Sequence, residues 1–70
     1  MEYNYNFEKD EVKVHCIIRK AIENKRKWVI EFYFNNRTFP NIISGRYSSI
    51  AKAKIAMYKY QATGKIPWGE

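Results

Sequence analysis

Apolar and polar side chains alternate over much of the first half of the chain, which is the pattern of strands with one buried face. The first strand is predicted from Val12 to Arg19, and the second from Lys27 to Phe34. Residues 23 to 26 are polar throughout and predict a hairpin turn between the two strands. The apolar positions of these strands are Val12, Val14, Cys16, Ile18, Trp28, Ile30, Phe32 and Phe34. We expect them to face the core, with Trp28 buried between the sheet and a helix.

A third strand is predicted over residues 37 to 43, with an interruption at Pro40 because proline has no backbone N–H to donate to a neighbouring strand. This strand is therefore expected to lie at an edge of the sheet or to carry a bulge. Asn35 and Asn36 precede it, and asparagine tolerates the positive φ of a tight two-residue turn. Gly45 is expected to end the strand.

One helix is predicted from Ile50 to Ala62, with Ser48 or Ser49 as its N-cap and Gly64 as its C-cap. Its apolar residues form two stripes, whereas packing on a sheet requires only one. One stripe contains Ala51, Ile55, Tyr58 and Ala62, and the other contains Ile50, Ala53, Met57 and Tyr60. We expect the chain termini to cover the stripe that does not pack on the sheet, and a partner protein is the alternative.

Residues 1 to 11 are predicted to form an acidic, aromatic N-terminal arm. Tyr3, Tyr5 and Phe7 alternate with polar residues, which would also fit a short edge strand. Residues 12 to 70 then form a single domain with a short C-terminal tail. The predicted fold class is α+β, a three-stranded antiparallel sheet with one C-terminal helix packed on one face, in the order β-β-β-α.

Charge is unevenly distributed along the chain, which has thirteen Lys and Arg, seven Asp and Glu, and a net charge of +6. Residues 1 to 11 hold four acidic groups and one basic group, a net charge of −3, and residues 12 to 70 hold twelve basic and three acidic groups, a net charge of +9. This distribution indicates a polyanionic partner, with nucleic acid first and an acidic protein surface second. No apolar run approaches the roughly 20 residues of a membrane span, and no signal-peptide pattern is present, so we expect no membrane partner and a cytoplasmic location.

The sequence lacks the residue sets that catalysis and metal binding require. Its single cysteine excludes an internal disulfide, and one histidine with one cysteine cannot supply a four-ligand zinc site. His15 and Cys16 are neighbours on a predicted strand, so their side chains point to opposite faces. No carboxylate pair suited to acid–base catalysis and no glycine-rich loop occurs. We therefore expect no enzymatic activity, no metal and no cofactor, and we expect Cys16 to be a small buried apolar residue.

The polar face of the predicted sheet combines cations with an aromatic ring. Arginine can bond guanine edges, lysine neutralises phosphates and tyrosine can stack on bases. The predicted nucleic-acid-binding residues are Lys13, Arg19, Lys27, Tyr33 and Arg37. Because a narrow twisted sheet fits the DNA major groove, the favoured ligand is double-stranded DNA.

Several segments resemble the AP2/integrase type of DNA-binding domain. The resemblance lies in the strand from Lys27 to Phe32, the turn and short strand over residues 35 to 39, and Gly45-Arg46-Tyr47-Ser48-Ser49 before an alanine-containing helix. It covers residues 12 to 63 and implies three antiparallel strands with a helix on the back of the sheet. It also implies that cations on the exposed sheet contact DNA. The chain departs from the pattern at Pro40 and at Trp28, which we expect to be buried.

Residue usage supports a second hypothesis. The chain contains nine lysines against four arginines, together with nine isoleucines, six asparagines and six tyrosines, which is typical of an AT-rich genome. In this usage it resembles the small accessory proteins of bacteriophages that bind and inhibit a host protein. The contact residues under this hypothesis are Met57, Tyr60 and Trp68.

Overall fold

The computed structural model describes residues 2 to 69, and in it an antiparallel sheet packs against one C-terminal helix. The elements are β1 (Tyr3–Lys9), β2 (Val12–Lys20), β3 (Trp28–Phe34), β4 (Ile42–Tyr47) and α1 (Ile50–Thr63). The strands lie side by side in chain order. The α+β class and the single helix on one face are confirmed, but the prediction of three strands is wrong because the sheet has four. Met1 and Glu70, the outer ends of the predicted arm and domain, lie outside the described residues.

The additional strand is β1, which was predicted as an arm. It pairs with β2 along its whole length, from Tyr3 opposite Ile18 to Lys9 opposite Val12. The connection is a two-residue turn in which Asp10 has φ 52° and Glu11 has φ 67°. Positive φ at both central residues gives a turn whose twist matches that of the flanking strands. The aromatic alternation at the N-terminus is therefore the inward face of a strand.

The chain between β3 and β4 is a loop of residues 35 to 41. Asn35 and Asn36 have φ values of 56° and 58°, as predicted for a tight turn. The third strand does not restart at residue 37, however, and pairing with β3 resumes where the Asn41 N–H donates to the Phe32 carbonyl at 2.8 Å. The later start of the strand follows from Pro40, because a residue without an N–H interrupts the hydrogen-bond ladder with β3.

Gly45 lies inside β4 and does not end it as predicted. Ile30 pairs with Ser44 and Trp28 with Tyr47, so β4 has one more residue than β3 in this interval, which is a β-bulge. Gly45 has φ 100°, and a Cβ at this position would lie 2.8 Å from Cδ2 of the Tyr47 ring. The bulge therefore requires glycine for both its backbone conformation and its space.

The core lies between α1 and the central strands. Its fully buried side chains include Cys16, Ile18, Ile30, Phe32 and Met57. The prediction that Cys16 is a small buried residue is confirmed. Trp28 is only half-buried, contrary to expectation, because it pairs with Lys20 and Tyr47 where the strands end. The Lys20 ammonium lies 5.4 Å from the centre of the Trp28 ring.

Both predicted caps of α1 are present. The Ser49 hydroxyl accepts a hydrogen bond from the Lys52 N–H at 3.2 Å, and the Gly64 N–H donates to the Tyr60 carbonyl at 2.7 Å. The buried stripe contains Ala53, Met57 and Tyr60. On one side of the helix β1 contacts the opposite stripe, since the hydroxyls of Tyr3 and Tyr58 are 3.0 Å apart.

We predict that Glu11→Gly stabilises the protein by about 0.5–1 kcal/mol, because glycine adopts positive φ without the steric cost that a glutamate carries. Urea unfolding measures the change. Glu8→Gly in β1 is the matched control and should destabilise by about 0.5–1 kcal/mol, because glycine weakens a strand interior. Equal destabilisation by the two changes would contradict the inference that Glu11 is strained in this turn.

Candidate nucleic-acid interface

Within residues 2 to 69 no helix covers the side of the sheet that faces away from α1, and we call this side the open face. Its central row runs from Asn6 on β1 through His15 on β2 to Tyr33 on β3, which pair directly across the strands. The next row contains Asn4, Ile17, Glu31 and Ile43. Alternation along the strands assigns to the open face Asn4, Asn6, Glu8, Lys13, His15, Ile17, Arg19, Val29, Glu31, Tyr33 and Ile43.

Glu31 organises the polar groups of the open face. The Arg19 Nε donates to Glu31 Oε2 at 2.8 Å, and the Tyr33 hydroxyl donates to Glu31 Oε1 at 3.2 Å. The pKa of Tyr33 is raised, mainly by partial burial of the hydroxyl and next by the negative charge of Glu31. Tyr33 is therefore a protonated hydrogen-bond donor at neutral pH, and the charge of Arg19 is balanced within the protein.

Two aromatic rings lie side by side on the central strands. The ring centroids of His15 and Tyr33 are 5.7 Å apart, and the ring planes are inclined by 36°. The His15 Nε2 lies 3.1 Å from the Asn4 Oδ1, so the histidine is also held by β1. This pair, with two asparagine amides of β1 beside it, forms an aromatic and polar surface on the central strands.

The predicted nucleic-acid-binding residues are only partly brought together. Lys13, Arg19 and Tyr33 lie on the open face. Lys27 precedes β3 and Arg37 lies in the 35–41 loop, so they are at opposite ends of the sheet. Lys13 is paired across the strands with Glu8, and Arg19 with Glu31 in a salt bridge, so the charges of the open face cancel. His15 was not among the predicted residues, because its contact with Tyr33 depends on a strand register that alternation does not supply.

Cations are concentrated in the connection between β2 and β3 instead. We call Lys25, Arg26 and Lys27 the basic loop. The loop is closed by hydrogen bonds from the Ala21 N–H to the Lys27 carbonyl and from the Lys27 N–H to the Asn24 carbonyl, both 2.9 Å long. The connection between β2 and β3 has one carboxylate, that of Glu23. Its Oε1 forms a salt bridge with the Arg46 Nη2 at 2.6 Å. Within residues 2 to 69, no carboxylate lies at ion-pair distance from Lys25, Arg26 or Lys27.

The residues predicted to contact a protein partner differ in accessibility. Met57 and Tyr60 have exposed fractions of 0% and 7%, because their stripe of α1 packs on the sheet. They are core residues and offer no surface to a partner in this fold. Trp68 is 72% exposed and is the one member of the predicted set that lies at the surface.

The described residues contain no group of three or more His, Cys, Asp and Glu side chains that could hold a metal ion. In the same part of the chain no helix is long and apolar enough to cross a membrane. Cys16 is fully buried, and burial raises the pKa of its thiol to about 12. Because the thiolate is the nucleophile, the cysteine is held in an inert form in the native state. The prediction that the protein is not an enzyme stays a prediction.

We predict that a thiol reagent at pH 8 labels native Cys16 only as fast as the protein opens, because the buried thiol is both protonated and inaccessible. Absorbance at increasing urea concentrations would follow the reaction, with the denatured chain as the reference for full reactivity. Rapid stoichiometric labelling of the folded protein would contradict this placement.

Comparison with protein-family models, curated proteins and solved structures finds no match for this chain. The resemblance to AP2/integrase domains therefore stays a hypothesis based on residue patterns.

Proposed function

We propose that the protein binds nucleic acid, with a single strand lying over the open face and its phosphates reaching the basic loop. The observation that carries the proposal is the His15–Tyr33 pair on the two central strands, with the unpaired cations of the basic loop at one end. Proteins that bind single strands combine aromatic side chains, on which bases stack, with positive charge that attracts the backbone. Both components are present here, the rings on the open face and the cations at the end of the sheet where β2 and β3 are joined.

The width of the sheet favours a single strand over the double-stranded DNA expected from the sequence. Four strands spaced by about 4.8 Å give about 14 Å between the axes of the outer strands, whereas the major groove is about 12 Å wide. A three-stranded sheet would measure about 10 Å and would fit. The pairing of β1 thus makes the surface too broad for the groove, while a flexible single strand has no such limit.

The distribution of charge leads to the same preference. Duplex recognition requires several cations against phosphates on two strands, and on the open face the charges of Lys13 and Arg19 are offset by Glu8 and Glu31. A single strand can place its bases over this neutral centre and its phosphates at the basic end. Lys13 and Arg19, near the two ends of β2 on the open face, are separated by about 20 Å at about 3.3 Å per residue, which suits a short site of about four nucleotides.

We predict that Tyr33→Leu weakens binding of fluorescein-labelled oligo(dT) by about tenfold or more, because a stacked base contributes about 1–3 kcal/mol. Tyr33→Phe keeps the ring and should retain most of the affinity. Trp68→Leu is the control for loss of an exposed aromatic ring elsewhere and should bind as the parent does. Fluorescence anisotropy measures the affinities, and thermal melts establish that each variant is folded. Unchanged affinity of folded Tyr33→Leu, or tighter binding to a duplex of the same length, would refute the single-strand site.

We also predict that the double change Lys25→Gln and Arg26→Gln lowers the slope of log affinity against log salt by about 1.4, since each phosphate contact on a single strand contributes about 0.7. The matched control is Lys59→Gln with Lys65→Gln, which removes the same charge from the other side of the molecule. Titrations of oligo(dT) at several salt concentrations provide the slopes. An equal reduction in both pairs would show that net charge, and not the basic loop, determines binding.

A further inference from the structure

The two edge strands of the sheet differ in how well they are protected from pairing with another chain. β4 carries the bulge at Gly45, and the C-terminal tail returns to it, since a Cβ on Gly69 would lie 3.1 Å from the Arg46 backbone nitrogen. Bulges and covering segments keep an edge from accepting a further strand. β1 pairs with β2 at every residue without a bulge, and within residues 2 to 69 no strand pairs with its outer side. β1 is therefore the edge that is open to another strand.

The backbone groups at this edge follow from the hydrogen bonds between β2 and β3. The Asn35 N–H donates to the Lys13 carbonyl at 2.7 Å. Just beyond the other end of β2, the Ala21 N–H donates to the Lys27 carbonyl at 2.9 Å. Odd-numbered residues of β2 thus direct their backbone groups toward β3, and even-numbered ones direct theirs toward the odd-numbered residues of β1. The remaining residues of β1, which direct their N–H and C=O groups to the open edge, are Asn4, Asn6 and Glu8.

We infer that two copies of the chain pair through β1, antiparallel about a twofold axis at Asn6, and so join their four-stranded sheets into one. In this register the whole strand overlaps its copy, because Asn6 is the middle residue of Tyr3–Lys9. The outward-directed residues of the two copies face one another as hydrogen-bonded pairs, so every free backbone group of the strand finds a partner. The inference concerns an edge of the sheet and does not rest on the proposed function.

The side chains of β1 are complementary to themselves in the same register. On the open face, Asn6 lies beside Asn6 of the second copy, and two amides can pair reciprocally because each is both a donor and an acceptor. Asn4 faces Glu8 of the second copy, where its amide N–H can donate to the carboxylate. On the helix side, Tyr5 faces Phe7 of the second copy at a position where facing side chains approach most closely. Both sides of the paired strands therefore favour a second copy as the partner.

The arrangement is closed and leaves room for both helices. Residues of equal parity face each other, so the two helices lie on the same side of the joined sheet and the two open faces form one surface. The backbone of α1 lies mainly against β2, β3 and β4, back from the edge at which the copies meet. Because each copy uses the same edge, pairing ends at a dimer with the bulged β4 strands outermost.

Strand length and charge indicate how strongly the copies associate. The seven residues of β1 span about 24 Å at about 3.4 Å per residue, which makes a small interface, and we expect a dissociation constant in the micromolar range. Each copy has a net charge of +6, and Glu2 lies opposite Asp10 just beyond the paired strands, so like charges oppose association. Added salt should therefore tighten the dimer. Nucleic acid that bridged two copies would be released by salt and would give the opposite dependence.

The test is sedimentation velocity of the nuclease-treated full chain over about a hundredfold range of concentration, where mass action reveals a monomer–dimer equilibrium. Asn6→Lys places two ammonium groups beside each other at the twofold axis and should weaken association about fivefold or more. Asn41→Lys is the matched control, because it adds the same charge at an exposed asparagine next to the other edge strand. It should associate as the parent does.

Asn6→Asp should weaken association in the same way, and an equimolar mixture of Asn6→Lys with Asn6→Asp should associate again, because mixed pairs carry opposite charges at the axis. Asn6 is exposed, so thermal melts should show both variants folded. A parent chain that stays monomeric, species larger than a dimer, equal weakening by Asn41→Lys, or a monomeric mixture would overturn the inference. Association that weakens with salt would overturn it in favour of bridging nucleic acid. Oligo(dT) is absent from these measurements, so failure of this inference remains distinguishable from failure of the proposed function.

Discussion

The packing of α1 on the two central strands determines the two surfaces of this protein. The rings of Tyr60 and Phe32 lie 4.8 Å apart, and Met57 is fully buried in the same cluster. Burying a side chain of this size contributes about 1.5–3 kcal/mol, so a rotation of the helix about its axis would lose several such contributions. Because this stripe of the helix packs in the core, the opposite face of the sheet stays open, and the outer face of the helix lies beside β1 and the tail.

Pairing of β1 with β2 has consequences well beyond the N-terminus. Its aromatic side chains extend the core on one side of the helix, where Phe7 and Tyr60 are 6.0 Å apart and the Tyr5 hydroxyl donates to Gln61 at 2.9 Å. Its outward side chains bring Asn4 to His15 and Glu8 opposite Lys13. The strand thereby broadens the sheet and neutralises the open face, which are the two properties that favour a single strand over a duplex.

Positive charge is divided between separate parts of the molecule. The basic loop lies at the end of the sheet where β2 and β3 are joined, and four further lysines lie in α1 and the tail, at positions 52, 54, 59 and 65. The acidic residues Asp10 and Glu11 lie in the β1–β2 turn, at the other end of β2 from the basic loop. A small domain with a net charge of +6 in this way carries its cations both at one end of the sheet and along the helix.

Several local features followed from the sequence because they depend on neighbouring residues only. Alternation identified β2 and β3, Ser49 and Gly64 marked the ends of the helix, and the paired asparagines predicted their positive φ. Burial of Cys16 also followed, since its apolar neighbours on the strand share its face. In each of these cases the determining contacts lie within one element or between adjacent segments of chain.

Other features were decided by contacts between distant parts of the chain, which no local pattern specifies. The aromatic alternation at the N-terminus fitted an arm and a strand equally, and only pairing with β2 selected the strand. The two stripes of the helix were both apolar, and the fit of Met57 and Tyr60 against the sheet buried one of them. The candidate site shows the same limit. Alternation placed Lys13, Arg19 and Tyr33 on one face of the sheet. The strand register then brought His15 beside Tyr33 and Glu31 beside Arg19, where it neutralises the arginine. Register and helix rotation are properties of the assembled core, and for that reason only the tertiary structure could decide them.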